Sequence, residues 1–157
     1  NKRSDKFKAH NFKFSTDLVK KCKKIIKSKI LSYRLSLHMV DNSYIKYSSR
    51  DYNITRLVKK LDKHGVNIFH CSELKAGSEL FNSKKSLIEI VRGVTKKTII
   101  SCGNILADEQ IKKVLGLGAN LMAFGRMSMV YPDLVLRYKK KLKLESKFNY
   151  EKWKKYN

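Results

Sequence analysis

Long apolar runs, acidic residues and cysteine are all scarce in this 157-residue sequence. No uncharged apolar stretch approaches the ~18 residues that a membrane-spanning helix needs, so no such helix is expected. The chain opens at Asn1 rather than Met, without the apolar stretch of a signal peptide. We therefore expect a fragment or a processed product of a soluble, cytoplasmic protein.

Cysteine occurs only at Cys22, Cys71 and Cys102, and no two of these form a CxxC pair. A sparse, odd number of cysteines argues against a disulfide scaffold and a zinc site, and favours reduced thiols. We expect Cys71 and Cys102 to be small buried residues, because nothing in the sequence indicates an activated thiol. Four histidines show neither metal-ligand spacing nor a nucleophile as partner: His10, His38, His64 and His70.

The scarcity of acids leaves a strong positive charge, since 36 Lys and Arg stand against 13 Asp and Glu, for a net charge of +23. The excess is concentrated at the two ends of the chain: residues 1–29 hold eleven basic residues and two acids, and residues 135–157 hold nine and two. Most of the excess is lysine, whereas arginine is better suited to the specific binding of bases and phosphates. We interpret it as a compositional bias that permits weak, salt-sensitive binding of polyanions.

Apolar residues repeat alternately at helical and strand spacing along the chain. The spacing predicts a first helix near 18–26, capped by Thr16 or Asp17, and then four strand–helix units. The strands are predicted at 30–37, 66–71, 98–101 and 121–124, and the helices around 54–61, 87–91, 111–115 and 134–144. Gly65 is predicted to end the second helix, and Asp108 to help cap the fourth.

This alternation is typical of an α/β fold with a parallel sheet and helices outside. Four βα units are half of a (β/α)8 TIM barrel, which needs ~250 residues. We expect residues 1–144 to form this barrel half and residues 145–157 to form a basic, aromatic C-terminal tail.

Two glycine-containing turns follow the last two predicted strands: Cys102-Gly103-Asn104 and Gly125-Arg126. In a βα barrel these turns lie on the active-site face and frequently bind phosphate. Glycine lets backbone N–H groups approach an anion closely, and Arg126 can add a bidentate, charge-assisted pair. The alternative is that both glycines only make tight turns.

Arg34 stands in the middle of the first predicted strand, on the face that it shares with Ser32 and Ser36. The opposite face carries Tyr33, Leu35 and Leu37. Inside a barrel a guanidinium needs an anionic partner, because it cannot lose its charge. That partner is either a ligand at the barrel mouth or an acid of the barrel, unless Arg34 points outward into solvent.

The segment from Gly103-Asn104-Ile105 to Gly125-Arg126 resembles the C-terminal flavin-phosphate region of the old yellow enzyme family. Tyr131-Pro132-Asp133-Leu134 follows it as the corresponding segment does in that family. Three further pieces are similar to the family: residues 1–7 to its N-x-R-x-D-x-Y stretch, residues 33–36 to its fifth-strand arginine motif, and residues 70–72 to the end of its sixth strand. The resemblance extends to about residue 142.

The resemblance implies the C-terminal half of an FMN-binding barrel oxidoreductase. Such an enzyme passes hydride from NADH or NADPH through flavin to a small-molecule acceptor such as an activated alkene. The implied cofactor-binding residues are Cys102, Gly103, Gly125 and Arg126 around the FMN phosphate, and Arg34 at the N1/O2 edge of the flavin. There the guanidinium would stabilise the negative charge that the reduced ring develops.

The resemblance assigns no catalytic and no metal-binding residue to this chain. The family's substrate-anchoring histidine pair and its tyrosine acid would lie before Asn1, in a missing N-terminal barrel half. We therefore expect the chain alone to be inactive.

Two other functions stay open at this point. A tRNA-dihydrouridine synthase also ends in a similar glycine and Gly-Arg phosphate site, and its RNA substrate would suit the positive charge. The second alternative is a basic nucleic-acid-binding module without catalysis, in which the glycines only make turns.

Overall fold

The computed structural model describes residues 4–8, 11–37, 53–80, 83–144, 151 and 154. Six helices and four strands lie in these residues, and they alternate except that the last two helices follow each other. In chain order they are α1 (Lys13–Ile26), β1 (Ser32–Ser36), α2 (Ile54–Lys63), β2 (Ile68–Ser72), α3 (Leu87–Arg92), β3 (Thr98–Cys102), α4 (Asp108–Gly116), β4 (Leu121–Met122), α5 (Arg126–Val130) and α6 (Leu134–Lys139).

The four strands form one parallel sheet in the order β1-β2-β3-β4. Each new strand is added beside the previous one after a helical crossover, which is how a βα barrel is built. The predicted α/β fold class, four consecutive units of a (β/α)8 barrel, is therefore confirmed.

The core lies between one face of the sheet and the helices. Leu35, Phe69 and Ile99 occupy alternate strand positions on this face and are buried. The helices cover them with apolar side chains that are almost completely inaccessible, among them Leu57, Leu61, Leu87, Ile88 and Val91. The predicted alternation in β1 is confirmed, since Leu35 is buried while Ser32, Arg34 and Ser36 are exposed.

The loop after α2 shows how glycine placement ends a helix here. Gly65 has a φ of +92°, and its N–H donates to the carbonyl of Asp62 at 3.0 Å while the N–H of Val66 donates to that of Leu61 at 3.2 Å. This pair of bonds satisfies the last carbonyls of the helix in a left-handed turn that suits glycine. The predicted role of Gly65 is confirmed.

The start of α1 differs from the prediction. The helix begins at Lys13, so Thr16 and Asp17 lie inside its first turns, and Phe12 occupies the N-cap position instead. The Thr16 hydroxyl donates back to the carbonyl of Phe12 at 2.9 Å, and Asp17 pairs with Lys13 at 2.8 Å. The predicted apolar stripe is also only partly buried, because Leu18 and Ile25 are 45% and 80% exposed.

The end of the chain also differs from the prediction in three respects. Strand β4 has two residues instead of four, the short helix α5 was not predicted, and α6 ends at Lys139 instead of residue 144. Asp108 begins α4 without capping it; the Gln110 side chain accepts the N–H groups of Leu106 and Ala107 instead. Apart from Glu151 and Lys154, the predicted tail lies outside the described residues.

Over the described ranges, no helix has the length and apolar character needed to cross a membrane.

Glu73, directly after β2, is a buried acid in the loop that follows the strand. One carboxylate oxygen, Oε2, accepts the N–H of Gly77 at 3.2 Å, and Oε1 has no hydrogen-bond partner among the described residues. Burial raises the pKa of Glu73 to about 7, against the weaker opposing effects of the Gly77 and Leu87 backbone and of Lys113. The folded chain therefore favours the protonated form of this side chain.

We predict that Glu73→Gln stabilises the folded chain at about pH 8 and leaves its stability nearly unchanged at about pH 5. Because the folded-state pKa lies above the unfolded value, Glu73 opposes folding increasingly as the pH rises through this window. Thermal unfolding at the two pH values should show a higher Tm for the variant at pH 8 only, by about 5 °C. An equal shift at both pH values would contradict the proposed titration.

Candidate functional site

The turns after β3 and β4 meet at the carboxyl end of the sheet. Arg126 Nη2 donates to Asn104 Oδ1 at 2.9 Å, which joins the two turns that the sequence predicts to lie side by side. Asn104 adopts a left-handed φ of +48°, which asparagine tolerates better than most residues. The hydrogen bond leaves part of the exposed guanidinium of Arg126 directed to solvent.

Gly103 is packed against the loop that follows β2. The Glu73 N–H donates to the carbonyl of Cys102 at 3.0 Å, and the Ala76 N–H donates to that of Gly103 at 2.8 Å. Gly103 has a φ of +140°, and a Cβ on it would overlap the Glu73 carbonyl oxygen and lie 2.8 Å from the carbonyl carbon. A side chain is therefore excluded here by both conformation and space.

The two turns present backbone donors that the described part of the protein does not use. The N–H groups of Gly103, Asn104, Gly125 and Arg126 take part in no hydrogen bond among the described residues. Gly125 is exposed, and apart from its chain neighbours no atom of the described residues lies within 4 Å of the position its Cβ would take. Unpaired N–H groups beside a guanidinium can bind an anion such as a phosphate group.

Arg34 lies on the sheet face opposite to the helices, as the alternation in β1 predicts. Its Nη2 donates to Ser72 Oγ at 2.8 Å across the β1–β2 pair. It makes no ion pair within the described ranges, so no acid described there is the barrel partner that the sequence analysis left open. The side chain is exposed on a face that the helices do not cover.

His70 and Cys102 form a contact that the sequence did not reveal. The two residues share the face of Arg34, and His70 Nε2 lies 3.2 Å from Cys102 Sγ. Cys102 is half-buried, so the expectation of a merely small, buried residue holds for Cys71 and is wrong for Cys102. Partial burial and, secondarily, the charge of Arg34 lower the pKa of His70, which keeps the imidazole neutral at neutral pH.

The predicted site residues therefore fall into two neighbouring groups. The first group lies at the carboxyl end of the sheet, here called the rim, and consists of Gly103, Gly125 and Arg126. Cys102 ends the strand that leads to the rim. Arg34 is on β1, two strands away from β3, or about 10 Å across the sheet. His70 and Ser72 lie on β2, between Arg34 and the rim. The sequence analysis did not place them at the site, because only the register of the strands brings them there.

A protein-family model described as NADH:flavin oxidoreductase / NADH oxidase matches residues 1–145. The chain belongs to this family. No curated protein sequence matches the chain significantly.

Solved structures of this family share the fold. An old yellow enzyme homologue from Zymomonas mobilis superposes with a TM-score of 0.74 at 22% identity, covering 98% of this chain and 44% of that one. Morphinone reductase gives 0.70 at 19% identity, and its complex with tetrahydroNAD gives 0.73 at 20%; each covers 98% of this chain and 41% of the other. The chain thus spans less than half the length of these proteins.

We predict opposite tolerances for alanine at the two rim glycines of this family member. Gly103→Ala must displace the Glu73 backbone and strain a positive φ, so it should cost about 2 kcal/mol or more of unfolding free energy. Gly125→Ala has open space and an ordinary φ, so it should change stability by less than about 0.5 kcal/mol. Urea unfolding of both variants tests this, and equal losses would show that the packing around Gly103 is not as tight as described.

Proposed function

We propose that this chain supplies the phosphate-binding half of an FMN site in an NADH:flavin oxidoreductase of the old yellow enzyme type. The observation that carries the proposal is the Arg126–Asn104 hydrogen bond, which holds two turns with unpaired N–H groups at one place on the rim. Membership of the NADH:flavin oxidoreductase family supports flavin as the ligand.

The residues present fit FMN in their chemistry. A phosphate group would accept hydrogen bonds from the N–H groups of Gly103 and Gly125 and from the Arg126 guanidinium, which gives charge-assisted bonds. The open space at Gly125 allows a ligand to approach the backbone closely. We assign Cys102 to the floor of this site, since it ends β3 immediately before Gly103.

Arg34 supplies positive charge on the inner face, which is the sheet face that the helices do not cover, away from the phosphate rim. FMN is elongated, with its phosphate at the end of the ribityl chain, so its ring can reach the inner face while its phosphate stays at the rim. Ser72 holds the Arg34 guanidinium, and the pair would stabilise negative charge at the N1/O2 edge of the ring.

When bound, FMN supplies the two-electron chemistry between a nicotinamide nucleotide, NADH or NADPH, and a small-molecule acceptor. This chain contributes binding and electrostatics to that reaction. In our proposal the remaining strands of the barrel supply the residues that anchor and protonate the acceptor, and the chain alone turns nothing over. A cytoplasmic location belongs to the same proposal and accords with the free thiols of Cys22, Cys71 and Cys102.

The family match favours this assignment over a tRNA-dihydrouridine synthase. Weak polyanion binding stays a second candidate, because an open groove of about 860 Å³ runs along the outer face of α1 and the end of α2. Its lining includes Phe7, Phe14, one acid, Asp17, and five lysines: Lys20, Lys21, Lys23, Lys24 and Lys63. Of these, Lys23 donates to Asn67 Oδ1 and the Lys29 carbonyl, so it is engaged in holding the entry to β1.

We predict that FMN binds the chain at least about tenfold more tightly than riboflavin, which lacks the phosphate. Arg126→Gln should abolish most of that preference and leave the riboflavin affinity unchanged, because the lost bond is to the phosphate alone. Lys63→Gln removes one charge at the opposite end of the sheet and is the matched control. Flavin fluorescence titrations measure all three proteins.

Equal loss of FMN and riboflavin binding in Arg126→Gln would contradict the phosphate assignment. Titrations of the same three proteins with a single-stranded oligonucleotide at increasing salt test the second candidate, weak polyanion binding. A steep salt dependence that Lys63→Gln reduces, together with no response to FMN, would favour the polyanion function.

A further inference from the structure

Three thiols occupy three different environments in this protein. Cys71 is buried against the helices, and burial raises the pKa of its thiol, which makes it unreactive. Cys22 is half-buried on α1, and its thiol makes no hydrogen bond within the described part of the chain. Cys102 is half-buried on the inner face of the sheet, and among the described residues it is the one of the three that lies beside a base.

The sulfur of Cys102 and the Nε2 of His70 are 3.2 Å apart, within hydrogen-bond distance for a thiol and an imidazole. The two side chains come from adjacent parallel strands, so the rigid register of β2 and β3 fixes their separation. A nucleophile and a base held within reach of each other are the minimal arrangement for nucleophilic chemistry.

Two further side chains, Arg34 and Ser72, lie beside the His70–Cys102 pair. Arg34 lies beside His70 in the strand register and brings a permanent positive charge to the same face. Ser72, the register partner of Cys102, accepts a hydrogen bond from Arg34 and so holds that charge on this part of the sheet. The flavin assignment gives Arg34 a role and leaves the His70–Cys102 contact without one.

We propose that Cys102 is a nucleophilic thiol, with His70 as its base, that forms covalent adducts with soft carbon electrophiles such as activated alkenes. The neutral His70 Nε2 takes the proton from Cys102 Sγ. The sulfur electron pair forms a bond to the β-carbon of the alkene, and the π-electron pair of the alkene moves to the α-carbon. That carbon then takes the proton from His70, so no other reactant is needed.

The adduct would lie next to Gly103, on the residue that leads into the rim. Modification of Cys102 by an electrophile would therefore block the inner face at the point where β3 ends. This inference rests on the His70–Cys102 contact and on the neighbouring Arg34 and Ser72, and it is tested on the chain without flavin.

The test is the rate at which N-ethylmaleimide, an activated alkene, modifies each cysteine of the full chain, measured by mass spectrometry of quenched digests. Cys102 is expected to react about tenfold faster than Cys22 in the folded chain, and at the same rate as Cys22 in urea. His70→Gln should slow Cys102 by about the same factor without changing Cys22, because glutamine cannot take the proton.

Cys22 serves as the internal control in every sample, and the wild-type comparison with urea needs no variant to fold. The proposal is overturned if Cys102 reacts no faster than Cys22 in the folded wild-type chain. It is also overturned if a folded His70→Gln chain modifies Cys102 at the wild-type rate.

Discussion

The close packing of the β2 loop on the backbone of Gly103 determines the shape of the rim. Two backbone hydrogen bonds hold Glu73 and Ala76 against the end of β3, and they can form only because Gly103 has no side chain. The next residue, Asn104, then turns with a positive φ and accepts the hydrogen bond from Arg126. The loops after three consecutive strands are thereby tied together, and the unpaired donors are collected at one place.

The two faces of the sheet have different chemistry, and this difference explains why the site is where it is. The helix-covered face carries the apolar core that stabilises the fold. The other face carries Arg34, His70, Ser72 and Cys102, which would be costly to bury in the core. The sheet thus provides a rigid support for polar groups whose positions are fixed by strand register, which suits a binding site better than mobile loops do.

Much of the fold was predictable from the sequence, because it is encoded in local periodicity. The alternation around Arg34 predicted which side of β1 is buried, and the glycine at position 65 predicted the end of α2. The turns containing Gly103 and Arg126 were predicted to be neighbours for a topological reason: consecutive parallel strands end at the same edge. The resemblance to a known family indicated flavin as the ligand and left two nucleic-acid-binding functions open as alternatives.

What the sequence did not reveal depends on contacts between distant residues. His70 and Cys102 are 32 residues apart and meet only through the β2–β3 register, which no periodicity encodes. Glu73 resembles any loop acid until the packing of its loop shows that it is buried. Helical spacing likewise placed Leu18 and Ile25 on one apolar stripe of α1, although both side chains are exposed. The spacing shows on which side of the helix a residue lies, but it does not show whether another element packs against that side.

The most direct test of the central claim is to follow the backbone amide resonances of the chain by NMR during titrations with FMN and with riboflavin. A phosphate held at the rim predicts that FMN shifts the amides of Gly103, Asn104, Gly125 and Arg126, and that riboflavin leaves these four nearly unchanged. If FMN instead shifts mainly the amides of the lysine-rich helix α1, or if both ligands shift the rim equally, the account of this site is contradicted.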